Sequence, residues 1–61
     1  MKVKVKQLIA EHQIRKGQLK ITLHNLNAVG AMTDELQNRI LDEIQEIENV
    51  IQKLNEILKL L

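Results

Sequence analysis

The second half of the chain repeats apolar residues at alternating spacings of four and three positions. The members of this Ile/Leu repeat are Ile40, Ile44, Ile47, Ile51, Leu54, Leu58 and Leu61. Such spacing is typical of an α-helix that packs along one side against another helix, as in a coiled coil. Leu36, Val50 and Ile57 lie on one flank and widen the apolar face. We therefore predict a helix over residues 34–61 that needs more than one neighbouring helix.

The segment before this helix, residues 28–33, interrupts the pattern, because it contains Gly30 and no charged residue. Thr33 is a suitable N-cap, since its hydroxyl can accept a hydrogen bond from a backbone N–H group of the first helical turn. Asp34 and Glu35 place negative charge at the positive end of the helix dipole. We predict a loop over residues 28–33 and the start of the helix at residue 34.

The first half of the chain carries apolar residues on two opposite sides when it is drawn as a helix. One side is mainly bulky and contains Val5, Leu8, Ile9, His12, Leu19, Leu23 and Leu26. The other side contains Val3, Ala10, Ile14, Gly17, Ile21 and Ala28. Residues 6–16 are mostly good helix formers, so we predict a helix over about residues 4–27. Gly17 costs such a helix about 1 kcal/mol relative to alanine, which indicates close packing at this position.

A β-hairpin followed by the long C-terminal helix is the alternative fold. Residues 19–23 alternate between apolar and polar side chains, and Lys16 and Gly17 lie between Ile14 and Leu19 at a suitable place for a tight turn. An isolated hairpin is only marginally stable in water and needs a third strand or a helix to cover it. The helical composition of the preceding residues favours the helix.

Two helices joined by a short loop form an antiparallel helical hairpin, which makes the predicted fold all-α with a single domain over residues 1–61. A chain of this size buries only about 60% of the surface that its unfolded form exposes. Small domains usually add disulfides, metals or partner subunits, and this chain has no Cys. Oligomerisation is therefore the expected source of additional stability.

We predict that two hairpins dimerise into a four-helix bundle, with a trimer or larger assembly as the alternative because the first helix has two apolar faces. The predicted oligomer interface consists of Leu8, Leu19, Leu23, Leu26, Ile40, Ile44, Ile47, Ile51, Leu54 and Leu58. These residues supply facing Leu and Ile layers. The hairpin would thus act as an oligomerisation domain that binds a second copy of itself or another protein.

The side-chain inventory argues against catalysis. The chain has no Ser, Cys or Tyr, so Thr22 and Thr33 are its only hydroxyl groups. His12 and His24 are twelve positions apart, about 120° around a helix, and neither belongs to a known metal-binding spacing. We expect no enzyme, no metal and no cofactor. The absence of aromatic residues also argues against binding of single-stranded nucleic acid by stacking.

The net charge of +1 is unevenly distributed: residues 1–30 carry +5 and residues 31–61 carry −4. Lys2, Lys6, Lys16 and Lys20 fall on one strip of the first helix, where they could contact phosphates. A small dimeric nucleic-acid-binding regulator is therefore the alternative function. The stronger interpretation is that a basic helix pairs its charges with the acidic helix beside it.

The first residues lack the apolar stretch of a signal peptide, and no run of apolar residues is long enough to span a membrane, so we expect a cytoplasmic protein that does not bind membranes. The sequence as a whole predicts a small, non-enzymatic helical module for self-association or protein interaction. Its main partner would be a second copy of the chain.

Overall fold

The computed structural model describes residues 1–61 and contains two α-helices and no strand. Helix α1 spans Lys2–Ala28, and helix α2 spans Asp34–Leu60. Residues 29–33 reverse the chain, so the helices pack side by side in a hairpin measuring 45 × 15 × 10 Å. The predicted helical hairpin is confirmed. Helix α1 is slightly longer than the predicted 4–27, and α2 ends one residue before the predicted 61.

The β-hairpin alternative is wrong, because residues 19–23 lie within α1. In a strand, Leu19, Ile21 and Leu23 would share one face. In the helix, Leu19 and Leu23 are one turn apart and face α2, whereas Ile21 points away and remains 62% exposed. The long helix α2 covers the bulky side of α1 and thereby selects the helical period.

The core lies along the line where the two helices meet. Its buried members are Leu19, Ile40, Ile44, Ile47 and Ile51. Partly buried residues pack around them, namely Ile9, Leu23, Leu26, Met32 and Leu36. Val5 is also buried, nearer the open end of the hairpin. Complete burial of an Ile or Leu side chain stabilises a fold by about 1.5–3 kcal/mol, so a few core residues account for much of the hairpin's stability.

The loop end of the hairpin has defined caps on both helices. Thr33 adopts an extended conformation, and its Oγ1 accepts a hydrogen bond from the backbone N–H of Leu36 at 3.1 Å, which confirms the predicted N-cap. At the end of α1, the N–H of Ala31 donates to the carbonyl of Leu26, and the N–H of Gly30 donates to the carbonyl of Asn27. This pair of bonds is a Schellman motif, and Gly30 supplies its left-handed residue with φ of 71°.

Candidate functional site

Most of the residues predicted to form the oligomer interface pack between α1 and α2 of the same chain. Leu19, Ile40, Ile44, Ile47 and Ile51 are buried, and Leu8, Leu23, Leu26, Leu54 and Leu58 are half-buried. The Ile/Leu repeat of α2 therefore buries much of its apolar surface against α1 of the same chain. A role for its remaining surface in association between chains stays a prediction.

More large apolar residues lie at the surface than in the core. Ten of them are exposed: Met1, Val3, Ile14, Ile21, Val29, Leu41, Val50, Ile57, Leu60 and Leu61. Only six residues of the chain are buried. Five of the ten fall on the flank of α2 or on the side of α1 that faces away from α2, namely Val50, Ile57, Val3, Ile14 and Ile21. These two surfaces are the candidates for binding a partner.

The first candidate surface is the flank of α2, where Val50 and Ile57 are 39% and 45% exposed. Leu61, the last member of the Ile/Leu repeat, is 46% exposed just beyond the end of α2. Val50 and Ile47 line an open groove between the helices, which we call the charged groove. Its other lining residues are Glu11, His12, Arg15, Glu43 and Glu46. The apolar flank of α2 thus continues into a strongly charged region near the middle of the hairpin.

A single ion pair crosses the charged groove. Arg15 Nη2 donates to Glu43 Oε1 at 2.8 Å, and both side chains are about half exposed. The Nδ1 atom of His12 lies 2.7 Å from the carbonyl oxygen of Leu8. Because a carbonyl oxygen only accepts, this contact places a proton on Nδ1. A protein partner seated here would have to remove several charges from water, which costs several kcal/mol per ion unless each charge is well paired.

The second candidate surface runs along α1 on the side away from α2. It is the less bulky of the two predicted sides, and we call it the outer strip: Val3, Ala10, Ile14, Gly17, Ile21 and Ala28. Val3, Ile14 and Ile21 are 80%, 62% and 62% exposed. A Cβ atom added at Gly17 would meet nothing within 4 Å. The close packing expected at this glycine is therefore not provided by the hairpin itself.

The predicted basic strip of α1 remains largely unpaired. Lys2, Lys6 and Lys20 are exposed, and Lys16 is half-buried beside the polar side chains of α2. The ion pairs of the structure join Arg15 to Glu43 and Arg39 to Glu35, so no lysine is within 4.0 Å of a carboxylate. Of the expected charge pairing between the two helices, a single pair is formed.

Several further features bear on chemistry. No buried side-chain nitrogen or oxygen lacks a hydrogen-bond partner, and no cluster of three or more His, Cys, Asp or Glu residues is arranged to hold a metal ion. Neither helix has an apolar stretch of the length needed to cross a bilayer. The exposed apolar surfaces are thus the most distinctive features of the molecule.

Comparison with protein-family models, with curated proteins and with solved structures gives no match for this chain. The hairpin's own residues are therefore what bears on its function. The relevant properties are the size of the apolar surface, the placement of charge along it and the side chains available for chemistry.

Proposed function

We propose that the protein is a non-enzymatic self-association module in which two hairpins pair to form a four-helix homodimer. The observation that carries this proposal is the excess of exposed apolar residues over buried ones. The hairpin exposes 4743 Å², whereas a compact monomer of 7.1 kDa exposes about 4,100 Å². The difference of about 600 Å² approaches the roughly 800 Å² that each partner buries in a standard interface.

The positions of the polar side chains support a non-enzymatic role. The hydroxyl of Thr33 caps α2, and Thr22 Oγ1 donates to the carbonyl of Gln18, so both hydroxyl groups are engaged with the backbone. Asp42 and Glu46 are both exposed, and Glu46 lines the open charged groove. General acid–base catalysis by a pair of carboxylates requires a sheltered site, and neither of these side chains lies in one.

A second copy of the chain is the partner that the fold favours. Identical hairpins can pair by two-fold symmetry, which makes each contact occur twice. Such a dimer would contain four helices, as in the bundle that the sequence predicts. It would also cover apolar residues that a solitary hairpin leaves in water.

Sedimentation equilibrium tests the proposal directly. Between about 1 and 500 µM, we expect the mass to rise from that of one chain to that of two, and the unfolding midpoint should rise with it. A hairpin that stays monomeric throughout this range would refute self-association. Light scattering that showed a trimer or larger species would keep self-association and exclude the dimer.

The unpaired lysines support nucleic-acid binding as a second candidate function. A gel shift with a short duplex at about 50 and 200 mM salt is the test, since phosphate contacts weaken steeply with salt. Replacement of Lys2, Lys6 and Lys20 by Gln should abolish any shift. Replacement of Lys53 and Lys59 on α2 by Gln is the control and should leave it intact. Absence of a shift at low salt would exclude this function.

A further inference from the structure

The outer strip is part of a complete heptad repeat that faces solvent. Adding the two polar residues that share its side of α1 gives the outer seam: Val3, Gln7, Ala10, Ile14, Gly17, Ile21, His24 and Ala28. These eight positions alternate in spacing between four and three without interruption, which is the pattern of a helix–helix contact. None of them is Asp, Glu, Lys or Arg. Within the hairpin, however, no helix packs against this side.

We propose that the outer seam binds the outer seam of a second copy in antiparallel orientation, with Ile14 against Gly17 of the partner subunit. This inference rests on the proposed self-association and specifies its surface and register. The glycine provides room for the isoleucine, because its missing Cβ leaves open space on this side of α1. Two-fold symmetry places the reciprocal contact immediately beside the first one.

The same register matches every other layer of the seam. Val3 lies opposite the partner's Ala28, and Ala10 lies opposite the partner's Ile21. Gln7 lies opposite the partner's His24, so the two polar residues meet each other rather than an apolar side chain. In the three apolar layers a large residue therefore faces a small one, which is how closely spaced helices fill the volume between them.

Other registers match less well. A shift by one heptad would place Ile14 opposite His24 of the partner subunit, and a polar ring would face an apolar chain. A parallel contact would place every residue opposite its own copy. Gly17 would then face a second glycine and leave a void, while the large Ile14 and Ile21 would each face an isoleucine. Voids and overpacking both weaken a contact of this kind.

Charges beside the seam are compatible with the antiparallel register. Lys6 lies near the partner's Asn27, and Lys20 lies near the partner's Gln13. On the other edge, Lys4 lies near Asn25 of the partner subunit. Each lysine thus faces an amide, which avoids the repulsion that like charges cause in coiled-coil flanks.

The competing surface contains charges at its centre. Two hairpins that paired through the flank of α2 would bring together two copies of the charged groove, including the Arg15–Glu43 ion pair and Glu11 and Glu46. Pairing through the outer seam leaves these groups in water. The seam lies on roughly the opposite side of α1 from the core residue Leu19. The four helices would therefore form a flat layer with the two α1 helices in the middle, which differs from a compact bundle with facing Leu and Ile layers.

Cysteine cross-linking tests the register, since the chain has no Cys of its own. Equal amounts of Ala10→Cys and Ile21→Cys proteins should form a mixed disulfide on mild oxidation. Each variant alone should not, because its two copies would lie about 16 Å apart along the helices, beyond disulfide reach. Disulfides formed by Ala10→Cys alone would indicate a parallel contact and overturn the register. Absence of any disulfide in a dimeric mixture would overturn the use of the seam.

A charge placed in the seam tests its role without disturbing the core. Ile14→Glu should raise the dimer dissociation constant at least about 100-fold, because the charge would be buried without a partner. Its helix content should be retained, since Ile14 is 62% exposed in the hairpin. Leu60→Glu, at a site that is 86% exposed on α2, is the matched control and should leave the dimer unchanged.

The outcomes separate the seam from self-association itself. A dimer that survives Ile14→Glu and forms no mixed disulfide would refute the seam and leave the proposed function standing. A wild-type chain that stays monomeric would refute both. Loss of the dimer with Ile14→Glu, together with the mixed disulfide, would establish the antiparallel seam.

Discussion

The two glycines of the chain provide a matched test, because Gly17 lies in the outer seam within a helix and Gly30 lies in the loop at positive φ. At neither position would an added Cβ meet another part of the chain within 4 Å, but Gly17 lies inside α1, whereas Gly30 has φ of 71°. Gly17→Ala should stabilise an isolated hairpin by about 1 kcal/mol, because alanine loses less backbone freedom in a helix. Gly30→Ala should destabilise it by about 1–2 kcal/mol, because a side chain is strained at positive φ.

Ile14→Glu is the suitable background for this measurement, because it blocks the proposed seam and isolates the stability of one hairpin. Urea and thermal unfolding followed by far-UV circular dichroism give the free energy directly. In a domain of this size, 1 kcal/mol corresponds to a shift in Tm of about 4–8 °C. We expect Gly17→Ala to raise Tm in this background by about that amount and Gly30→Ala to lower it.

The wild-type background should give a different result for Gly17→Ala at high protein concentration. The added methyl group would meet Ile14 of the partner subunit, so the gain in hairpin stability should be offset by a weaker dimer. Destabilisation by Gly17→Ala in the Ile14→Glu background would refute the view that Gly17 is free within the hairpin. Equal stabilisation in both backgrounds would refute a close approach of a second helix at Gly17.

Three further substitutions test the hairpin's own structure. Thr33→Ala removes the N-cap and should cost about 1 kcal/mol in urea unfolding, while Thr22→Ala at an exposed mid-helix site should change stability by less than about 0.5 kcal/mol. Ile44→Ala should cost about 2–5 kcal/mol and largely unfold the hairpin by circular dichroism, whereas the neighbouring, half-exposed Leu41→Ala should be much milder. Arg15→Gln breaks an exposed ion pair and should cost less than about 1 kcal/mol at low salt, and less still at high salt.

Local sequence signals predict α2 well because several of them agree. Thr33 satisfies an orphan backbone donor, Asp34 and Glu35 suit the helix dipole, and the Ile/Leu repeat continues to the end of the chain. Helix α1 has weaker signals. Its start has no side-chain cap, and its apolar residues lie on opposite sides. Its helical state is selected by α2, which covers Leu19 and Leu23 together.

Periodicity does not distinguish packing within a chain from packing between chains. The repeat containing Ile44 and Ile51 predicts a neighbouring helix, and α1 of the same chain supplies it. The outer seam gives a weaker sequence signal, because Gln7 and His24 interrupt its apolar residues. The signal that identifies it is the unbroken alternation of spacings, together with Gly17 on a side that no helix covers.

The polar layer of the outer seam gives its proposed contact a preferred register. Apolar layers tolerate sliding by a heptad, but an unmatched Gln7 or His24 would lose hydrogen bonds when buried against an isoleucine. The choice of register matters for stability because the core of one hairpin is small, with only six buried residues. Association would add stability to a marginal fold, so folding and pairing should respond together to concentration. A chain with a uniformly apolar seam would gain more area but would have no comparable reason to choose one register.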